Sequence, residues 1–144
     1  LLVIYTDGAA RGNPGESASG YLIYRNAKIL HRHSEYNGTA TNNYAEYNAV
    51  LLSLEWCISS IENHSEYSIE LYSDSELVIK QLNKKYKIKS LALKPVSDKV
   101  SELAKKFRKV TFKNVRREDP NISIVDKSLN ALLDRKSINN SAKQ

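Results

Sequence analysis

No methionine occurs anywhere in the 144 residues, and cysteine and tryptophan occur once each. A chain without methionine lacks its initiator and reads as trimmed from a longer product. The lone cysteine, Cys57, excludes an internal disulfide and a cysteine-cluster zinc centre, and it suits a reducing cytoplasm. It lies in an apolar helical stretch and reads as a small core residue. No apolar run approaches the roughly 18 residues of a membrane span, and no basic-then-apolar leader pattern precedes Leu1. The expected setting is therefore cytoplasmic, with no membrane partner. Repeats and low-complexity linkers are also missing. With 41% apolar and 26% charged residues, the chain fits one domain over residues 1–136, followed by a polar tail, 137–144, expected to fray.

Acids are scarce in one place. Between Lys80 and Arg117 lie fourteen of the 22 Lys and Arg residues but only Asp98 and Glu102, giving +12 in this block within a net charge of +6. The rest of the chain is acidic by −6. A solvated helix face accounts for part of this block. A polyanionic partner accounts for it better, because clustered Lys and Arg neutralise phosphates and release counterions.

What is present divides into alternating elements. Leu1–Thr6 is apolar at nearly every position, as in a central strand. "SASGYLIYRNAKIL" and "HRHSEYNGTA" read as two more strands, with Asn26-Ala27 near a turn. From Asn43 a helix begins, its apolar residues Tyr44, Tyr47, Leu51, Leu54, Ile58 and Ile61 recurring at three- and four-residue steps. "YSIELYS" predicts a fourth strand and "DSELVIKQLNKKY" a second helix. "PVSDKVSELAKKF" predicts a third helix, with Pro95 in its first turn. "KVTFKNV" predicts a fifth strand, and Ile124–Arg135 a last helix. This order predicts an α/β domain: a five-stranded mixed sheet with helices on both sides. Its first three strands form an antiparallel meander, and the fourth returns by a crossover. His31 and His33 along the third strand, and His64 in a loop, read as structural or solvated.

Four acids occupy unusual positions. "VIYTDGAARGNPG" ends a strand on Asp7 and follows it with three of the five glycines. A carboxylate there costs desolvation unless something pairs with it. Glu46, Asp74 and Asp126 each have a capping explanation, from Asn43, Ser73 and Ser123 respectively. Taken together the four point elsewhere. Asp7 and Asp74 each leave the carboxyl end of a strand, where open α/β sheets place their sites. Glu46 and Asp126, at helix starts, can lean towards the same crevice. Packed carboxylates repel and raise one another's pKa values. Mg²⁺ relieves that conflict and suits carboxylates, waters and phosphate. Two such ions about 4 Å apart can clamp both oxygens of an in-line phosphodiester displacement.

"YTDGAARGNPG", "TNNYAEY", "LYSDSELV" and "VDKSLNALLD", in this order, resemble the four motif segments of type 1 ribonuclease H, over about Val3 to Asp134. The resemblance implies strand order 3-2-1-4-5 and a metal-dependent endonuclease. Such an enzyme cuts the RNA strand of RNA/DNA hybrids to 5′-phosphate and 3′-hydroxyl ends. It implies that Asp7, Glu46, Asp74 and Asp126 bind two Mg²⁺ or Mn²⁺ ions, Asp7 bridging them, Glu46 and Asp74 on one and Asp126 on the other. Asn13, Asn42 and Asn43 match residues touching the hybrid minor groove, and Thr41 one that grips a DNA-strand phosphate. Gly8, Ser75, Lys84, Lys85, Lys87, Arg116 and Arg117 complete the expected substrate-contacting set. The small residues after Asp7 are expected to let the duplex backbone approach. The chain departs from the family pattern in three ways. Many relatives carry a histidine in the loop before the last aspartate, and "NVRREDPNISIV" has none. "NISIVD" is also one residue longer than the usual spacing. The bacterial basic-handle insertion looks short or absent, with Lys84, Lys85, Lys87 and Lys89 in its place. Cleavage of double-stranded RNA is left open. The alternatives are a non-catalytic duplex-binding module of the same fold and a resolvase- or integrase-like DNA nuclease.

Overall fold

The computed structural model describes residues 1–142. Five strands, β1 (Leu2–Gly12), β2 (Gly15–Arg25), β3 (Lys28–Ala40), β4 (Ser68–Ser73) and β5 (Lys109–Asn114), form one sheet in the order β3-β2-β1-β4-β5. The helices are α1 (Asn42–Ser60), α2 (Glu76–Leu82), α3 (Leu93–Ala104) and α4 (Pro120–Ala142). The strand order and mixed pairing are those expected: β1 pairs antiparallel with β2 and parallel with β4.

Alternation along the strands separates two cores. One lies under α1, α2 and α3 and includes Leu2, Ile4, Ile23, Tyr47, Val50, Leu54, Leu71 and Val100. The other is smaller and joins Ala18 and Leu22 of β2 to Val125, Leu129 and Leu133 of α4. A fully buried Leu or Ile in either contributes about 1.5–3 kcal/mol relative to exposure. Cys57 is wholly buried in the first core, and burial pushes its thiol up to about 12, so it is an inert packing residue as expected. His31 stacks flat on Trp56 at 4.3 Å between ring centres, and the His64 ring bonds the Ile61 carbonyl oxygen, so both are structural.

Several boundaries differ from the sequence-based expectation. β1 does not stop at Thr6. Its pairing with β2 continues through Asp7↔Gly20 to Gly12↔Gly15, so the glycine-rich stretch is the end of a long hairpin. The turn at Asn26 and Ala27 holds both residues at positive φ, 53° and 62°, the form that matches strand twist. α2 ends early, at Leu82, because the Lys84 and Lys85 N–H groups fold back to the Gln81 and Lys80 carbonyls with Lys84 in the left-handed region. α4 begins four residues before the expected Ile124, because Asp119 accepts from the Asn121 and Ile122 N–H groups and Pro120 takes the first helical position. It continues to Ala142, through most of the segment expected to be a tail; residues 143 and 144 lie outside those described.

Candidate active site

β1 and β4 run side by side and their last paired residues are Tyr5 and Tyr72. Two residues further on, each strand carries its acid, Asp7 and Asp74, at the same edge of the sheet. α1 brings Glu46 to them. Carboxylate oxygens of Asp7, Glu46 and Asp74 all lie within 4.8 Å of one another. Asp126 reaches the same cleft from α4, on the other face of the sheet. The cleft encloses about 890 Å³ and is lined by all four acids together with Gly8, Asn42, Asn43, Ser75, Arg117, Glu118 and Asn130, among others.

Capping does not account for these acids. The cap of α1 is Thr41, whose hydroxyl accepts from the Tyr44 N–H at 3.2 Å, so Asn43 and Glu46 form no capping box. Ser75, not Ser73, caps α2, while Glu76 pairs with Lys80 at 2.6 Å. Asp119 caps α4, which leaves Asp126 in the helix body. The capping role of Ser75 was not read from the sequence.

Gly8 has an internal reason. A Cβ there would collide with the backbone of Ala45 and Glu46, so only glycine lets α1 lie this close to β1. Gly8 also lines the cleft, so this packing requirement adds to the expected role of leaving room for a duplex: on its Cβ side the space is taken by the helix that delivers Glu46. Ser19 fixes the same turn by donating its hydroxyl to the Ala45 carbonyl at 2.6 Å.

The electrostatics follow from the crowding. Asp7 is only 4% exposed. Burial, then the Asp74 charge, pushes its carboxyl up to about 7, against hydrogen bonds from Glu46 and the Gly8 N–H. Glu46 is raised well above the ordinary range by burial and by Asp7 and Asp74. Asp74 is raised chiefly by burial, with its own backbone N–H and the Arg117 charge opposing. Such a set disfavours its own ionised form and therefore suits a multivalent cation, with hard oxygen donors of the kind Mg²⁺, Mn²⁺ or Ca²⁺ accepts.

Asn13 and Asn42 sit beside this centre, tied together. The Asn42 N–H donates to Asn13 Oδ1 at 3.0 Å, and the Ala10 N–H donates to Asn42 Oδ1 at 2.8 Å. Both carbonyl ends are thus engaged within the protein, leaving the amide NH₂ groups as exposed donors. Asn43 lines the cleft directly. Lys84, Lys85 and Lys87 lie on the exposed connection between α2 and α3 and line no part of the cleft, nor does exposed Arg116. Glu118 and Asn130 also line it, and Glu118 was not singled out from the sequence. Asn130 had only its spacing from Asp126 as a signal.

A 3-2-1-4-5 sheet with an acid at the end of each central parallel strand and a carboxylate from each flanking face defines a class of protein that gathers acids able to hold cations beside a polar cleft. The RNase H family model matches residues 1–124, and the chain belongs to that family. The match stops just short of Asp126, so this residue's place rests on α4 geometry. The chain is 30% identical over 118 residues to the bifunctional protein Rv2228c of Mycobacterium tuberculosis, covering 81% of this chain and 31% of that one. It thus spans about a third of the length of that relative. Among solved structures, LC11-RNase H1 in complex with an RNA/DNA hybrid is 33% identical with a TM-score of 0.87, covering 94% of this chain and 99% of the other. RNase H1 of the halophilic archaeon Halobacterium salinarum is 32% identical with a TM-score of 0.84, covering 93% and 98%. No described helix is long and apolar enough to cross a membrane.

Proposed function

We propose that the chain is a metal-dependent endoribonuclease that hydrolyses the RNA strand of RNA/DNA hybrids, leaving 5′-phosphate and 3′-hydroxyl ends. The observation that carries this reading is the convergence of Asp7, Glu46 and Asp74 within 4.8 Å, at the mouth of a cleft flanked by free amide donors. Asp7, central and buried, would be shared between two cations, with Glu46 and Asp74 on one side and Asp126 on the other. Mg²⁺ or Mn²⁺ bound there would activate a water and neutralise charge at the leaving oxygen. The protein's own residues supply the rest. The β1–β2 hairpin and the start of α1 hold the Asn13 and Asn42 amides as donors for minor-groove acceptors and 2′-hydroxyls. Thr41 and Asn43, at the start of α1, offer a polar seat for a phosphate at a helix N-terminus. Arg117 beside Asp74 attracts the scissile strand, and the exposed lysines Lys84, Lys85 and Lys87 extend the positive field along the duplex.

The presence of all four acids argues against a non-catalytic module, and the paired asparagines favour RNA over a purely DNA substrate. The test is incubation with Mg²⁺ or Mn²⁺ and labelled RNA/DNA, RNA/RNA and DNA/DNA duplexes, with Asp7→Asn alongside. Hybrid-selective cutting lost in the variant is the expected result. The RNA/RNA arm reads whether double-stranded RNA is also accepted. Binding of the hybrid without cutting, with either metal, would overturn the enzymatic reading in favour of a binding module.

A further inference from the structure

Asp126 differs from the other three acids in how it is held. It is half-buried on the cleft side of α4, and its carboxylate accepts from the Asn130 amide Nδ2 at 3.3 Å, one helical turn on. The same nitrogen donates to the Asp126 carbonyl at 3.1 Å. An asparagine amide can turn over, and the reversed amide would set its oxygen against the Asp126 carboxylate. Arg11, from the tip of the β1–β2 hairpin, opposes that reversal. Its Nη2 donates to Asn130 Oδ1 at 3.4 Å and to the Asn130 carbonyl at 3.2 Å. Arg11 is in turn anchored by Asp134, whose Oδ1 lies 2.7 Å from the same Nη2.

These contacts form a relay, Asp134 to Arg11 to Asn130 to Asp126, joining residues more than a hundred positions apart. The Arg11–Asp134 pair is 40% and 64% exposed, so solvent screening leaves it little weight in overall stability. Its geometry, however, ends on a carboxylate of the site. The same hairpin reaches the other helix through Asn13 and Asn42, so its tip touches both elements that deliver acids to Asp7.

Resting on the cation-site reading above, we propose that Arg11 is a positioning residue, which acts through Asn130 to hold the Asp126 carboxylate ready for a divalent cation. All three contacts run through one nitrogen, Nη2, which the planar guanidinium holds in a fixed direction, whereas a strongly hydrated ammonium on a flexible stem turns readily to water. Outer-shell partners of this kind tune metal affinity rather than fold.

The test is Mn²⁺ binding to the hybrid-free protein by calorimetry, with melting temperatures recorded in parallel, for wild type, Arg11→Ala, Arg11→Lys and Asp134→Asn. The relay predicts that all three variants weaken Mn²⁺ binding by about tenfold while melting within about 2 °C of wild type. The Mn²⁺ concentration for half-maximal cleavage rises in step, with the hybrid KM unchanged. Wild-type Mn²⁺ affinity in Arg11→Lys and Asp134→Asn would overturn the proposal and leave Arg11 as a plain positive charge facing the duplex. So would the absence of Mn²⁺ binding in wild type. If wild type fails to cut hybrid yet the binding isotherms shift as predicted, the functional reading falls and the relay stands.

Discussion

Glu46 and Asp126 approach Asp7 from opposite faces of the sheet, and they are secured differently. Each helix docks beside a glycine of the same paired region, α1 at Gly8 of β1 and α4 at Gly20 of β2, whose register partner is Asp7. On the α1 side, a Cβ at Gly8 would strike helix backbone, and the Ser19 hydroxyl bonds the Ala45 carbonyl. On the α4 side, a Cβ at Gly20 would meet the Leu129 methyl at 2.9 Å and, less forgivingly, the His33 carbonyl at 3.0 Å. Glu46 is therefore placed by main-chain packing, whereas Asp126 depends on side chains that can give. A site with one fixed wall and one adjustable wall can keep its carboxylates together and still accommodate a change in what lies between them.

The largest effect is expected at the acid the two walls share. Asp7→Asn should lower hybrid cleavage by about a thousandfold or more, measured under single-turnover conditions. The same variant should make the cation-free protein more stable at neutral pH. The Asp7 carboxyl is raised from 3.8 to about 7 in the folded protein, so the folded state holds a proton that the unfolded state releases. Wild-type stability without metal should therefore decline as pH rises from about 4 to about 7, and the decline should flatten in Asp7→Asn. Denaturant titrations in EDTA across this range measure it; equal slopes in both proteins would contradict the assignment.

Glycine substitutions separate the walls. Gly8→Ala should cost about 3 kcal/mol through forced displacement of α1, and cleavage should fall with it because Glu46 moves. Gly20→Ala should cost about 1–2 kcal/mol, since part of the strain relaxes through Leu129. Chemical denaturation of both reads the difference, and a larger loss for Gly20→Ala would invert the comparison. Smaller still are the caps at the two helix starts. Thr41→Ala and Asp119→Ala should each cost about 1 kcal/mol, and hydrogen exchange should show the first turns of α1 and α4 opening accordingly.

Much of this was legible in the sequence. The apolar run before Asp7 and the helix–strand alternation imply a central strand and a crossover, and the four motifs supply the strand order. Asp7, Glu46 and Asp74 could be singled out because a strand-end acid is costly and their motifs are close in type to the family pattern. What escaped depended on exact boundaries or distant pairings. Whether Thr41, Ser75 or Asp119 caps a helix depends on where the backbone leaves the extended region, which neighbouring Ser, Asn and Asp residues all permit. The need for Gly8 arises from a helix almost forty residues away. The Arg11–Asp134 pair leaves no local periodicity, since its partners meet only after the sheet has formed.

The central claim of the proposed function is that cations relieve the repulsion of these crowded carboxylates. Melting of wild type and Asp7→Asn, each in EDTA and in saturating Mn²⁺, tests it most directly. The account predicts that Mn²⁺ raises the wild-type midpoint by about 5 °C or more, that it moves Asp7→Asn little, and that the variant melts above wild type in EDTA. Equal shifts in both proteins, or a variant that melts lower in EDTA, would contradict it.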